Sequence, residues 1–108
     1  MYGKRDTSKR GQKEKEKESR IASDNMYECF LCGRHTYLHV HHIFEGSKRK
    51  QCDNDRLTVH LCVSCHMAVH DSSGQKQRDY LHQLGQRVYE EQIGSREEFI
   101  KNYFKSYL

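Results

Sequence analysis

Two cysteine pairs, Cys29-x-x-Cys32 and Cys62-x-x-Cys65, enclose a histidine-rich stretch, His39-Val40-His41-His42. A two-residue gap lets both sulfurs of a pair reach one ion, and two such pairs supply the four thiolates of a closed tetrahedral zinc site. The segment between them is then a loop anchored by metal at both ends. The alternative for such cysteines, disulfides, fits poorly with a polar opening stretch that carries no apolar leader. Reduced thiols in an intracellular, cytoplasmic setting are expected instead. Cys52 has no partner by spacing and is expected to be a bystander.

A metal also answers a shortage of core. Apolar residues make up 34% of the 108, and there is no tryptophan. One small domain with a thin core is what such a composition supports, and bound zinc supplies folding energy that the core lacks. No run of about twenty apolar residues occurs, so no membrane-spanning helix is expected.

The net charge of +4 is concentrated at one end. Residues 1–20 hold eight Lys or Arg against four acids, whereas residues 21–108 balance at eleven of each. The mixed-sign run Lys13-Glu14-Lys15-Glu16-Lys17-Glu18 has no apolar residue to bury, and residues 1–20 read as a disordered charged tail. The tail can counter phosphate charge on a nucleic acid or serve only as a solubilising extension. A single domain is expected over 21–108.

Within that domain, Leu38–Phe44 reads as a strand rich in β-branched and aromatic residues, closed by Gly46-Ser47. Leu57–Leu61 alternates apolar and polar positions, as a half-buried strand does. The two can pair antiparallel, leaving Glu45–Arg56 as a long polar loop. Cys62–His70 follows with helical spacing, which puts His66 and His70 one turn apart on one face. Tyr80, Leu81, Leu84, Val88 and Ile93 give an apolar stripe to a helix over 75–92, and Gly94 ends it. Ser95 and Glu98 then have capping-box spacing, and Phe99, Ile100, Tyr103, Phe104 and Tyr107 supply the buried face of a last helix. These aromatics are expected to cover the hairpin; base stacking is the less favoured use.

The run His41-His42, then Asn54, then Leu61-Cys62-x-x-Cys65-His66-x-x-x-His70, preceded by Cys29-x-x-Cys32, resembles the HNH endonucleases. It is similar to their small zinc-bracketed phage and prophage members. The resemblance covers roughly residues 27–71, with helices over 75–108 beyond it. It implies a small α+β fold, a treble-clef-like ββα-metal hairpin and helix with a structural four-cysteine zinc site, and hydrolysis of DNA phosphodiester bonds with one catalytic divalent metal. It further implies His41, His66 and His70 as ligands of that metal, His42 as general base, and Asn54 as the residue that holds the base and loop in place.

Elementary chemistry suits these roles. A neutral imidazole accepts a proton from water near pH 7, and adjacent strand residues face opposite ways, so His41 and His42 divide the labour. Lys48, Arg49 and Arg56 are placed to grip flanking phosphates. His39 shares a strand face with His41, so a ligand set using His39 in place of His70 stays open. His60 reads as the polar position of a strand, and His35 and His82 stand outside the motif. Three imidazoles without an assured carboxylate suit zinc, nickel or manganese better than magnesium. The expected partner is DNA, with a phage or host recombination or packaging protein as a further one; no membrane is involved, and the oligomeric state is open. The competing reading is a non-catalytic zinc module that binds DNA or a replication or recombination protein.

Overall fold

The computed structural model describes residues 18–108; most of the charged tail expected over residues 1–20 lies outside them. Strand β1 (Leu38–His42) pairs antiparallel with β2 (Thr58–Cys62), in a register that sets His41 opposite Val59 and His39 opposite Leu61. Between the strands runs helix α1 (Arg49–Asp55). Helix α2 (Val63–Val69) leaves directly from β2, and α3 (Gln75–Gln92) and α4 (Arg96–Tyr103) follow. A small α+β unit results, with one two-stranded hairpin and four α-helices among the described residues. None of those helices is long and apolar enough to cross a membrane.

The Glu45–Arg56 segment is not the long loop expected. Gly46, at φ +69°, turns the chain into a 3-10 turn over Gly46–Lys48, and α1 then runs to a left-handed Arg56 at φ +58°. Only one residue of α1 is buried, Cys52, so no apolar periodicity announces the helix. Its thiol donates to the Leu57 carbonyl at 3.0 Å and accepts from the Phe44 N–H at 3.4 Å. Cys52 is thus the buried peg of α1 rather than a bystander.

β1 stops at His42, two residues before the expected end, because Ile43 and Phe44 turn into the core. Phe44 is the hub there. Its ring meets Phe99 at 5.3 Å, Tyr103 at 4.7 Å and Tyr107 at 5.4 Å between centroids, and stacks on His82 at 5.5 Å. The last two helices do cover the hairpin. The capping box forms, with Ser95 Oγ accepting from Glu98 N and Glu98 Oε1 accepting from Ser95 N. Of the residues expected to be buried, Tyr80, Ile100 and Phe104 are exposed instead. Fully buried Gln86 fastens the C-terminal segment by accepting from Tyr107 N at 2.6 Å and donating to Ser106 Oγ at 3.0 Å.

Two contacts hold the helix between the strands. Tyr103 OH donates to Asp55 Oδ2 at 2.6 Å, pinning α1 to α4. Arg20 donates from its backbone N to Arg56 O and from Nε to Asp55 O, each at 2.8 Å, so residues ahead of the expected Ile21 already pack on the domain. Gly85 on α3 lets the helix close on the hairpin: a Cβ there would lie 2.9 Å from Phe44 Cε2 and 3.0 Å from Ile43 Cγ2. Gly85→Ala is expected to cost about 1–3 kcal/mol by overpacking, measured as a fall in denaturant midpoint without change in slope.

Candidate metal centres

The hairpin ends where both cysteine pairs meet. Cys29 and Cys32 stand on a turn ahead of β1, closed by Gly33 N donating to Cys29 O at 2.8 Å with Gly33 at φ +77°. Cys62 ends β2 and caps α2, and Cys65 lies in the first turn of that helix. One sulfur from each of the four lies within 4.8 Å of the others, a group placed to hold a metal ion such as zinc. Cys32 Sγ and Cys62 Sγ are 3.7 Å apart. A tetrahedral zinc with Zn–S bonds of about 2.3 Å has sulfur–sulfur edges of about 3.75 Å, so the spacing fits the ion.

Electrostatics agree with a cation there. Burial raises the Cys29 thiol, but backbone N–H groups of Cys62, Cys32 and Leu31 outweigh it and bring the pKa below the ordinary range. Cys65 goes the other way, raised by burial and by the three neighbouring sulfurs. Four thiolates this close need a positive ion between them.

The second cluster is built on the opposite half of the same hairpin. His41 on β1, with His66 and His70 on or at the end of one face of α2, brings ring nitrogens within 4.8 Å of one another. The rings fan around a common point, with centroids 5.1–5.7 Å apart and planes 56–73° to one another. His41 is buried, and its Nδ1 has no hydrogen-bond partner. Burial first, then the neighbouring His66 and His70, depress its pKa to about 3. His66 is lowered too, by burial first and then by His70 and His39. Both imidazoles are therefore neutral near pH 7 with a lone pair available, the form that ligates metal. A buried ring nitrogen without a partner is costly, and a cation at the common point would satisfy it.

Three further side chains complete the surroundings. Glu45 Oε2 lies 3.3 Å from His41 Nδ1 and 3.4 Å from His70 Nε2, and burial raises this carboxyl above its usual range. His39 Nδ1 lies 2.8 Å from His66 Nδ1, a hydrogen-bond distance. Asp53 Oδ1 lies 3.2 Å from His42 Nε2. Neither Glu45 nor Asp53 stands at a spacing that singles it out in the sequence. Asn54, the expected holder of the base, is an exposed residue on α1, and its neighbour Asp53 contacts His42.

His42 borders two clefts. One, of about 420 Å³, is lined by His42, Glu45, Arg49, His66 and His70 among others; the other, of about 500 Å³, by His42, Arg49, Lys50 and Asp53 among others. Arg49 alone of the three expected phosphate grippers lines both. Lys48 instead places its Nζ 3.9 Å from the centre of the Phe104 ring, and Arg56 is the left-handed residue that ends α1. His60 is not a plain strand residue, because its Nδ1 and backbone N contact the buried Asp24 carboxylate at 2.7 and 2.8 Å. His35 lies 3.5 Å from Glu28, away from the cluster, and His82 lines a smaller pocket beside His41 and His70.

The chain matches no protein-family model, and it shows no significant similarity to a curated protein or to a solved structure.

Removing zinc with a chelator is expected to lower the melting temperature and to make four thiols titratable under native conditions. Cys52, whose pKa burial pushes up to about 12, should stay silent until denaturant is added, as timed thiol counting would show.

Proposed function

We propose that this protein is a metal-dependent endonuclease of the HNH type that hydrolyses DNA phosphodiester bonds, with His42 as general base. The observation that carries the reading is the shared cleft in which His42 and Arg49 face the same space as His66 and His70. A base, a phosphate-binding cation and metal-competent imidazoles stand together there, which is the set that hydrolysis of a phosphodiester needs.

His42 would take the proton of the attacking water. Its Nε2 faces the Asp53 carboxylate at 3.2 Å, so Nε2 carries the hydrogen and Nδ1 keeps the lone pair. Arg49, with Lys50 at the rim, would hold the phosphate against the base. His41, His66 and His70 would hold the divalent ion, whose charge when bound offsets the negative charge that grows on phosphate and leaving oxygen. The buried, neutral His41 keeps its ligand form over the whole physiological range. Zinc on the four cysteines would fix the far end of the hairpin and the start of α2, and so the spacing between His41 and His66.

In a cleavage assay with supercoiled plasmid and single-stranded DNA, with magnesium, manganese, nickel or zinc added, the wild type is expected to cut. His42→Ala should lower kcat by roughly 10²–10⁴-fold with zinc content and circular dichroism unchanged. Arg49→Ala should act mainly on KM. Cutting by wild type and His42→Ala alike would remove the base assignment. No cutting with any metal, together with salt-dependent DNA binding, would favour a non-catalytic zinc module.

A further inference from the structure

The carboxylate beside the histidine cluster carries more than a surface ion pair would. Glu45 Oε2 is nearly equidistant from His41 Nδ1 and His70 Nε2, at 3.3 and 3.4 Å. An ion bound through nitrogen and oxygen at about 2.0–2.1 Å in a tetrahedron has ligand–ligand edges of about 3.3–3.4 Å. The contact to His41 is not a hydrogen bond, since that buried nitrogen has no hydrogen-bond partner even with the carboxylate so near. The carboxylate is spaced from His41 and His70 as a further donor to one cation would be, and since it stands outside the 4.8 Å group formed by the three histidines, it would swing inward to share the ion with His66.

The local backbone is consistent with that purpose. Glu45 precedes the 3-10 turn at its N-cap position, yet its side chain makes no capping hydrogen bond. Gly46, in the left-handed region, turns the chain there so that Glu45 stays beside β1. The other candidate for a fourth donor is His39, and its geometry is wrong for one. Its Nδ1 is 2.8 Å from His66 Nδ1, shorter than a ligand–ligand edge and right for a hydrogen bond. With His66 Nδ1 donating to His39 Nδ1, the His66 Nε2 lone pair would be left for the ion.

We propose that Glu45 is the fourth protein ligand of the ion held by His41, His66 and His70, making a three-histidine, one-carboxylate site. The inference rests on the metal site of the proposed nuclease but not on its cleavage activity. Four protein donors form a closed shell, so a phosphate oxygen reaches the ion only by displacing the carboxylate or by enlarging the shell. The glutamate thereby gates entry to the centre.

Cobalt(II) reports coordination number directly, because four-coordinate cobalt absorbs visible light far more strongly than six-coordinate cobalt. It would be titrated into protein whose four-cysteine site is already filled with zinc, with His66→Ala as the reference lacking the histidine site. Wild type is expected to show the strong four-coordinate spectrum. Glu45→Gln, and Glu45→Asp with its shorter reach, should show weaker absorption and at least about tenfold lower cobalt affinity, since even loss of an outer partner costs that much. Identical spectra and affinities for wild type and both variants would overturn the role of Glu45 while leaving the histidine site and the nuclease reading in place. Should either variant misfold by circular dichroism, the wild-type spectrum decides, a weak six-coordinate one overturning the proposal. Cobalt binding that His66→Ala does not reduce would overturn the site itself, and the proposed nuclease with it.

Discussion

Lone pairs pointed at one another are the constraint around which this structure is arranged. Four sulfurs converge at one end of a short hairpin, and three imidazoles converge beside its other half, with the Glu45 carboxylate against two of them. Crowding and burial disfavour the charged forms within each cluster, raising the Cys65 thiol and depressing His41. A metal held by either cluster would turn that penalty into folding energy, which a domain with so little apolar core needs. The two clusters are also mechanically linked, because Cys62 ends β2, Cys65 lies in the first turn of α2, and His66 is the next residue along the same helix.

The apolar core stiffens what the metal centres begin. Phe44 leaves β1 immediately beyond the histidines and sinks into an aromatic cluster supplied by α4 and the C-terminal segment. Gly85 admits α3 to close contact with it. The Tyr103–Asp55 hydrogen bond then sets α1 against the hairpin, and α1 carries Asp53 to His42. Packing far from the cleft thus reaches His42 through two hydrogen bonds and one short helix. The 18-residue α3 borders the histidine cluster through Arg78, Leu81 and His82, and the capping box of α4 helps to hold this frame.

Much of the architecture was legible because it rests on local signals. Cysteine spacing located the four-sulfur cluster, i,i+4 spacing put His66 and His70 on one face, and apolar periodicity with Ser95 and Glu98 marked the last two helices. Helix α1 was not legible, since a helix that buries a single cysteine has no stripe to read. Exposure of Ile100 and Phe104 was missed for a related reason: helical spacing predicts a face, and the width of that face depends on what packs against it. The Asp53–His42 contact was missed because it depends on a helix where a loop was expected.

What the sequence determined by itself is the inventory and its local geometry: two thiol pairs with metal-ligand spacing, two histidines on one helix turn and a capped final helix, whereas β2, expected to be half-buried, is buried at every position. Those follow from covalent chain geometry over a few residues. Which distant groups meet was decided only in three dimensions. Glu45 reaches His41 and His70 because Gly46 turns the chain, Asp53 reaches His42 because α1 forms between the strands, and His60 finds Asp24 across 36 positions. Carboxylate–imidazole contacts of this kind have no fixed sequence separation, because they depend on the path of the backbone between the partners, and that path is set by packing.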